Sequence, residues 1–125
     1  MDLIITNKTK GATPKVPFVD LKEAVLGNKY ELSLVFIGNR RSARLNMTYR
    51  KKPKSTNILS FPLDKNCGEI FIDLSLAKKQ AFKFDRTFPN FVAYLFIHGL
   101  FHLKGMQHGL RMKSAEKKIR DKFKI

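Results

Sequence analysis

The sequence predicts an α+β fold, and two observations carry that expectation. Stretches rich in β-formers at residues 30–37, 58–61 and 69–72 are interleaved with segments whose apolar residues recur at helical spacing. The run Phe91-Val92-Ala93-Tyr94-Leu95-Phe96-Ile97 is too continuously apolar for a half-exposed helix. It reads as a central helix buried on nearly all sides. No repeat, linker or low-complexity stretch interrupts residues 1–125, so helices and a small sheet are expected to share one core in one domain.

Taken in order, Leu3-Ile4-Ile5-Thr6 is expected to form a short strand. Pro17 is suited to the first turn of a helix through Phe18, Leu21, Ala24 and Val25, with Gly27-Asn28 as its stop. Residues 30–37 form the next strand. Asn39 is the expected N-cap of a helix from Arg40 to Tyr49, whose few apolar positions (Ala43, Leu45, Met47) would pack one side. Lys51-Lys52-Pro53-Lys54 breaks that helix into a basic loop. Ile58-Leu59-Ser60-Phe61 reads as a strand ended by Pro62, and residues 69–72 return antiparallel to it after a turn. Asp73 caps a helix through Leu74, Leu76, Ala77 and Phe82, and Thr87 with Pro89 opens the buried helix. Met112, Ala115, Ile119 and Phe123 mark a final amphipathic helix.

Charge narrows the function classes. Lys and Arg total 25 against 10 Asp and Glu, a formal net charge of +15 with an isoelectric point near 10.2. Solubility alone asks for roughly 2–8 in a small domain. Polyanions are therefore the expected partners, nucleic acid before anionic membrane, because no amphipathic anchor is evident. Arg40, Arg41, Arg44, Lys51, Lys52 and Lys54 would supply the track for a nucleic-acid backbone. The single cysteine, Cys67, excludes an internal disulfide. Neither a signal peptide nor a membrane span is evident, and a cytoplasmic setting is expected.

All three histidines fall between residues 98 and 108. His98 and His102 lie one turn apart on a helix, and Gly105 can adopt the positive φ that ends it and folds His108 back toward them. Three imidazoles from two helix positions and a turn give a tridentate site with an open position, the pattern of a catalytic zinc. One bound zinc per chain is the expected cofactor. The peptidase pattern H-E-x-x-H-x-x-G-x-x-H has the same offsets, but its general-base Glu is replaced here by Gly99.

The motif His98-Gly99-Leu100-Phe101-His102-Leu103-Lys104-Gly105-Met106-Gln107-His108 resembles the H-G-x-L-H-L-x-G-x-D-H signature of the YbeY-type endoribonuclease family. Leu45-Asn46-Met47-Thr48-Tyr49-Arg50 is similar to the family's L-N-x-x-Y-R, and Thr56-Asn57-Ile58-Leu59-Ser60-Phe61-Pro62 to its T-D-V-L-S-F-P. Gly68-Glu69-Ile70 stands where the family has G-D-I, and Met112 with Glu116 fits its closing helix. The resemblance implies a mixed sheet, a metal on the three histidines, Arg50 in the active cleft, and maturation of ribosomal RNA with ribosomal components as partners. A non-catalytic ribosome assembly factor is the alternative from another class. Gln107, Asn57 and Glu69 each replace a family Asp. If those Asp side chains order the metal ligands, Gln107 and Asn57 would have to do so as neutral amides.

Overall fold

The computed structural model describes residues 2–125. The strands are β1 (Leu3–Asn7), β2 (Glu31–Ile37), β3 (Ile58–Asp64) and β4 (Cys67–Asp73). The helices are α1 (Phe18–Leu26), α2 (Asn39–Arg50), α3 (Leu74–Lys83), α4 (Phe88–Leu103) and α5 (Leu110–Phe123). The fold is α+β, with a mixed sheet in the order β1-β2-β4-β3. β1 and β2 are parallel, as are β2 and β4, while β3 runs antiparallel to β4. Among the described residues no helix is long and apolar enough to cross a membrane.

The strand register explains which residues meet the helices. Leu32, Leu34 and Phe36 of β2 pair with Gly68, Ile70 and Ile72 of β4, and Ile58 and Ser60 of β3 pair with Ile72 and Ile70. Alternation places these on one face, and α4 lies across it, with α1, α3 and α5 packed around that helix. Phe96, Ile97 and Leu100 are wholly buried. Each such side chain contributes about 1.5–3 kcal/mol by leaving water. The Thr87 hydroxyl accepts from Asn90 N–H to cap α4, and Asp73 does the same for α3 through Leu76 N–H.

α4 approaches the sheet closely at Gly99. A Cβ there would lie 2.9 Å from both Ile58 Cδ1 and Ser60 Oγ and 3.0 Å from Ile70 Cδ1. Position 99 therefore faces the sheet, and His98 and His102 line a cleft beside that contact.

Several expectations are corrected. Asn39 does not cap α2; Gly38 holds the N-cap position, and the Asn39 amide donates to Ser55 Oγ at 2.9 Å. The buried side of α2 is polar. Ser42 and Asn46, four residues apart, face inward, whereas Met47 is exposed. Pro17 occupies the N-cap position of α1 and not its first turn. Pro62 lies within β3 and does not end it. β3 is an edge strand, where a residue without an N–H costs no ladder bond. Phe82 projects into solvent from α3, and Ala81 is the buried residue there.

Gly99→Glu, which restores the carboxylate of the peptidase pattern, is expected to destabilise the fold by about 3 kcal/mol or more. It adds bulk and a charge against Ile58, Ser60 and Ile70, where even a Cβ is crowded. Urea unfolding followed by circular dichroism reads the change; parental stability would show that position 99 has room.

Candidate metal centre

α4 presents His98 and His102 from consecutive turns. Its end is fixed by two backbone bonds, Gly105 N–H to the His102 carbonyl at 3.0 Å and Met106 N–H to the Phe101 carbonyl at 3.1 Å. This pairing needs a left-handed residue between them, and Gly105 supplies it at φ 96°. The chain then turns through His108 to the start of α5. The His102 ring lies 4.8 Å from His98 and 4.5 Å from His108, and His98 and His108 are 5.2 Å apart, centroid to centroid.

One nitrogen from each ring falls within 4.8 Å of the other two. Two nitrogens bound to one zinc at tetrahedral angles sit roughly 3.3 Å apart, so small side-chain rotations bring the three to ligand distance. The donor set fits a borderline-soft divalent ion. Burial pushes the His102 imidazole below its ordinary value of 6.5. The charges of His98, His108 and Arg50 act in the same direction, and Glu116 opposes them. The neutral, ligating form is thereby favoured.

Glu116 completes the site from α5. Its carboxylate is buried, and Oε2 lies 2.6 Å from His98 Nδ1. With Nδ1–H donating to the carboxylate, Nε2 is the nitrogen left for a metal. Arg120 Nη1 stands 3.8 Å from the other oxygen, Oε1. The orienting acceptor is thus an ionisable carboxylate and not the expected amides. Asn57 donates its amide to Gln80 Oε1 at 2.8 Å, and Gln107 is exposed. Glu69 lies on β4, outside the cleft. The sequence did carry a signal for Glu116: it is four residues after the buried Met112, on the inward side of an amphipathic helix.

The histidines open onto a cleft of about 560 Å³. Its lining also includes Tyr49 and Arg50 at the end of α2, together with residues 56–61 leading into and along β3. Arg50 is exposed, lines this cleft, and its charge reaches His102. Two features aim it. Ser42 Oγ donates to the Thr56 carbonyl and accepts from Thr56 N–H, at 2.6 and 2.9 Å. The Asn46 amide donates to the Lys54 carbonyl at 2.7 Å, and Lys51 closes the helix in the left-handed region at φ 59°. Arg40, Arg41, Arg44, Lys51, Lys52 and Lys54 are all exposed on α2 and the following loop, outside the cleft itself. None of the six makes an ion pair among the described residues.

Three histidines around an open position, sharing a cleft with an arginine on an α+β scaffold, define a metal-dependent hydrolase. A family profile described as endoribonuclease YbeY matches residues 6–124. An endoribonuclease YbeY of Alkaliphilus metalliredigens is 34% identical over 105 residues, covering 75% of this chain and 68% of its own. That of Ehrlichia canis is 38% identical over 104 residues with the same coverage. That of Campylobacter jejuni strain 81-176 is 30% identical over 119 residues, 89% of this chain and 88% of its own. The solution structure of a Thermotoga maritima protein shares the fold, with a TM-score of 0.67 at 20% identity over 98% of this chain and 91% of the other. This chain belongs to the endoribonuclease YbeY family.

Replacing Glu116 by Gln is expected to weaken metal binding about 10–100-fold while the fold persists, since the amide still fills the space but no longer polarises His98. Competition against a chromophoric chelator measures it. Unchanged affinity would remove Glu116 from the site, and metal retained by a triple His98, His102, His108→Ala variant would remove the histidines.

In metal-free protein, His102 is expected to titrate with a midpoint below 6.5. Between that midpoint and 6.5 the unfolded chain binds more protons than the folded one, so stability from this group rises with pH across that window. A ¹H NMR titration of the imidazole resonances checks the direction; a midpoint at or above 6.5 contradicts it.

Proposed function

We propose that this chain hydrolyses phosphodiester bonds in single-stranded RNA, using a zinc ion held by His98, His102 and His108, in the maturation and quality control of ribosomal RNA. The observation that carries this reading is the cluster of three imidazoles sharing one cleft with Arg50. A divalent ion there supplies Lewis acidity toward a phosphoryl oxygen and acidifies water for attack. Arg50 places its planar guanidinium against a nonbridging oxygen of the scissile phosphate, a two-point contact that a lysine does not reproduce. Glu116 holds the His98 tautomer, and Gly105 holds the turn that delivers His108. No carboxylate lines the cleft among the described residues; its polar side chains there include Thr56, Asn57 and Ser60.

The exposed cations of α2 and the loop after it, Arg40, Arg41, Arg44, Lys51, Lys52 and Lys54, track the RNA backbone on either side of the cut. With a net charge of +15, attachment is largely electrostatic. The whole of residues 1–125 serves as one catalytic domain, in the cytoplasm, where ribosomal RNA and ribosomal proteins are its partners and a membrane is not. The peptidase alternative is disfavoured because Gly99 stands where that pattern has its general-base Glu, and a glycine has no side chain to take up a proton.

An unstructured RNA, incubated beside casein with and without chelator, tests the proposal. Cleavage is expected to stop with chelator and in His102→Ala, and to fall about 100–1,000-fold in Arg50→Lys with the fold intact. Lys52→Ala should instead weaken binding and lower the salt slope by about 1. Bound but uncut RNA would leave an assembly factor, and casein hydrolysis lost in His102→Ala would leave a peptidase.

A further inference from the structure

Resting on the endoribonuclease reading, we propose that Tyr49, backed by Phe61, is a stacking platform for one nucleobase of the RNA beside the scissile phosphate. Tyr49 is 62% exposed, on the last turn of α2, and lines the same cleft as the three histidines. Its ring is held by Phe61 of β3, with centroids 4.9 Å apart and planes at 53°. Phe61 in turn meets Phe71 of β4 at 5.9 Å and 70°. A chain of tilted contacts thus anchors the ring to the sheet and leaves much of it open to the cleft.

The next residue is Arg50. Both side chains line the one cleft, so a strand whose phosphate meets Arg50 passes Tyr49 with an adjoining base. A cleft of about 560 Å³ is of the size that takes a compact ligand such as one nucleotide.

The other aromatic of the cleft does not compete for this role. Arg86 lies over the Tyr94 ring at 4.6 Å and Arg120 at 5.2 Å, and Phe91 stacks beside it with planes at 12°. Phe82 and Phe84, though exposed, lie outside the cleft. Base–aromatic stacking is tolerant of sequence and needs a free base face. A base inside a duplex has both faces covered by its neighbours. Tyr49 therefore selects an unpaired nucleotide without reading which base it is.

The test is single-turnover cleavage of a short unstructured RNA by zinc-loaded protein in excess, which separates half-saturating concentration from maximal rate. Tyr49→Ala is expected to raise the half-saturating concentration about tenfold, and Tyr49→Phe to stay near the parent. Because Tyr49 is exposed, thermal unfolding of Tyr49→Ala should match the parent. An RNA series with one abasic nucleotide moved along the strand then locates the contact. At one position beside the cut, the parent should lose about tenfold and Tyr49→Ala nothing further. Equal losses for both proteins at every abasic position, or parental behaviour of Tyr49→Ala on intact RNA, overturns the platform alone. RNA left uncut by the parent protein overturns the endoribonuclease reading and the platform with it.

Discussion

The architecture depends on how closely α4 is seated on the sheet. With no side chain at Gly99, the helix backbone can approach Ile58, Ser60 and Ile70 to a distance at which a Cβ would collide. That contact fixes the rotation of α4 about its own axis. Phe96, Ile97, Leu100 and Phe101 are then buried, while His98 and His102 point into the cleft. A helix this apolar has little polar face of its own to set its orientation, so the close contact and the two imidazoles decide it together. The absence of a side chain also distinguishes this cradle from that of a peptidase with the same histidine spacing.

The part of the cleft lining that holds Tyr49 and Arg50 is built by different physics. α2 does not dock through an apolar stripe; it docks through Ser42 and Asn46, whose side chains satisfy backbone groups of Thr56 and Lys54. Buried hydrogen bonds of this kind are directional, so they hold the loop and the helix end in one relative position. Tyr49 and Arg50 sit at that end, and Lys51 accepts a left-handed backbone immediately afterwards. A conformation that costs a non-glycine residue about 1 kcal/mol or more persists where the surroundings over-determine it. Here it ends α2 directly after Arg50, which lines the cleft of the histidines.

The charges are arranged by depth. Cations dominate the outside, where water and salt screen them and where they attract a polyanion over a distance. Among the described residues the carboxylate in contact with the histidines is that of Glu116, buried against His98 with Arg120 at its second oxygen. A negative group there opposes the repulsion among three imidazoles, an arginine and any divalent ion brought into the cleft. On the surface the same carboxylate would cancel part of the attraction for RNA.

Much of this was legible in the sequence because the signals were local. The i, i+4 histidines, the glycine that ends their helix, the Thr87 and Asp73 caps and the alternation along β2 each follow from chemistry within a few residues. The α+β class, the buried helix and the three-histidine cluster came from those signals, and the separated motifs pointed to the family. What the sequence could not decide depended on contacts between distant segments. Pro62 reads as a stop until β3 is seen at an edge, and Ala43, Leu45 and Met47 read as the packed side of α2 until the loop after it comes back over Ser42 and Asn46. Glu116 reads as one charge on a basic helix until α5 lies beside α4. Hydrophobic periodicity reports which face of an element leaves water, but not which polar group will find a partner there. That choice is made only when the packed helices and sheet bring donors and acceptors within about 3 Å.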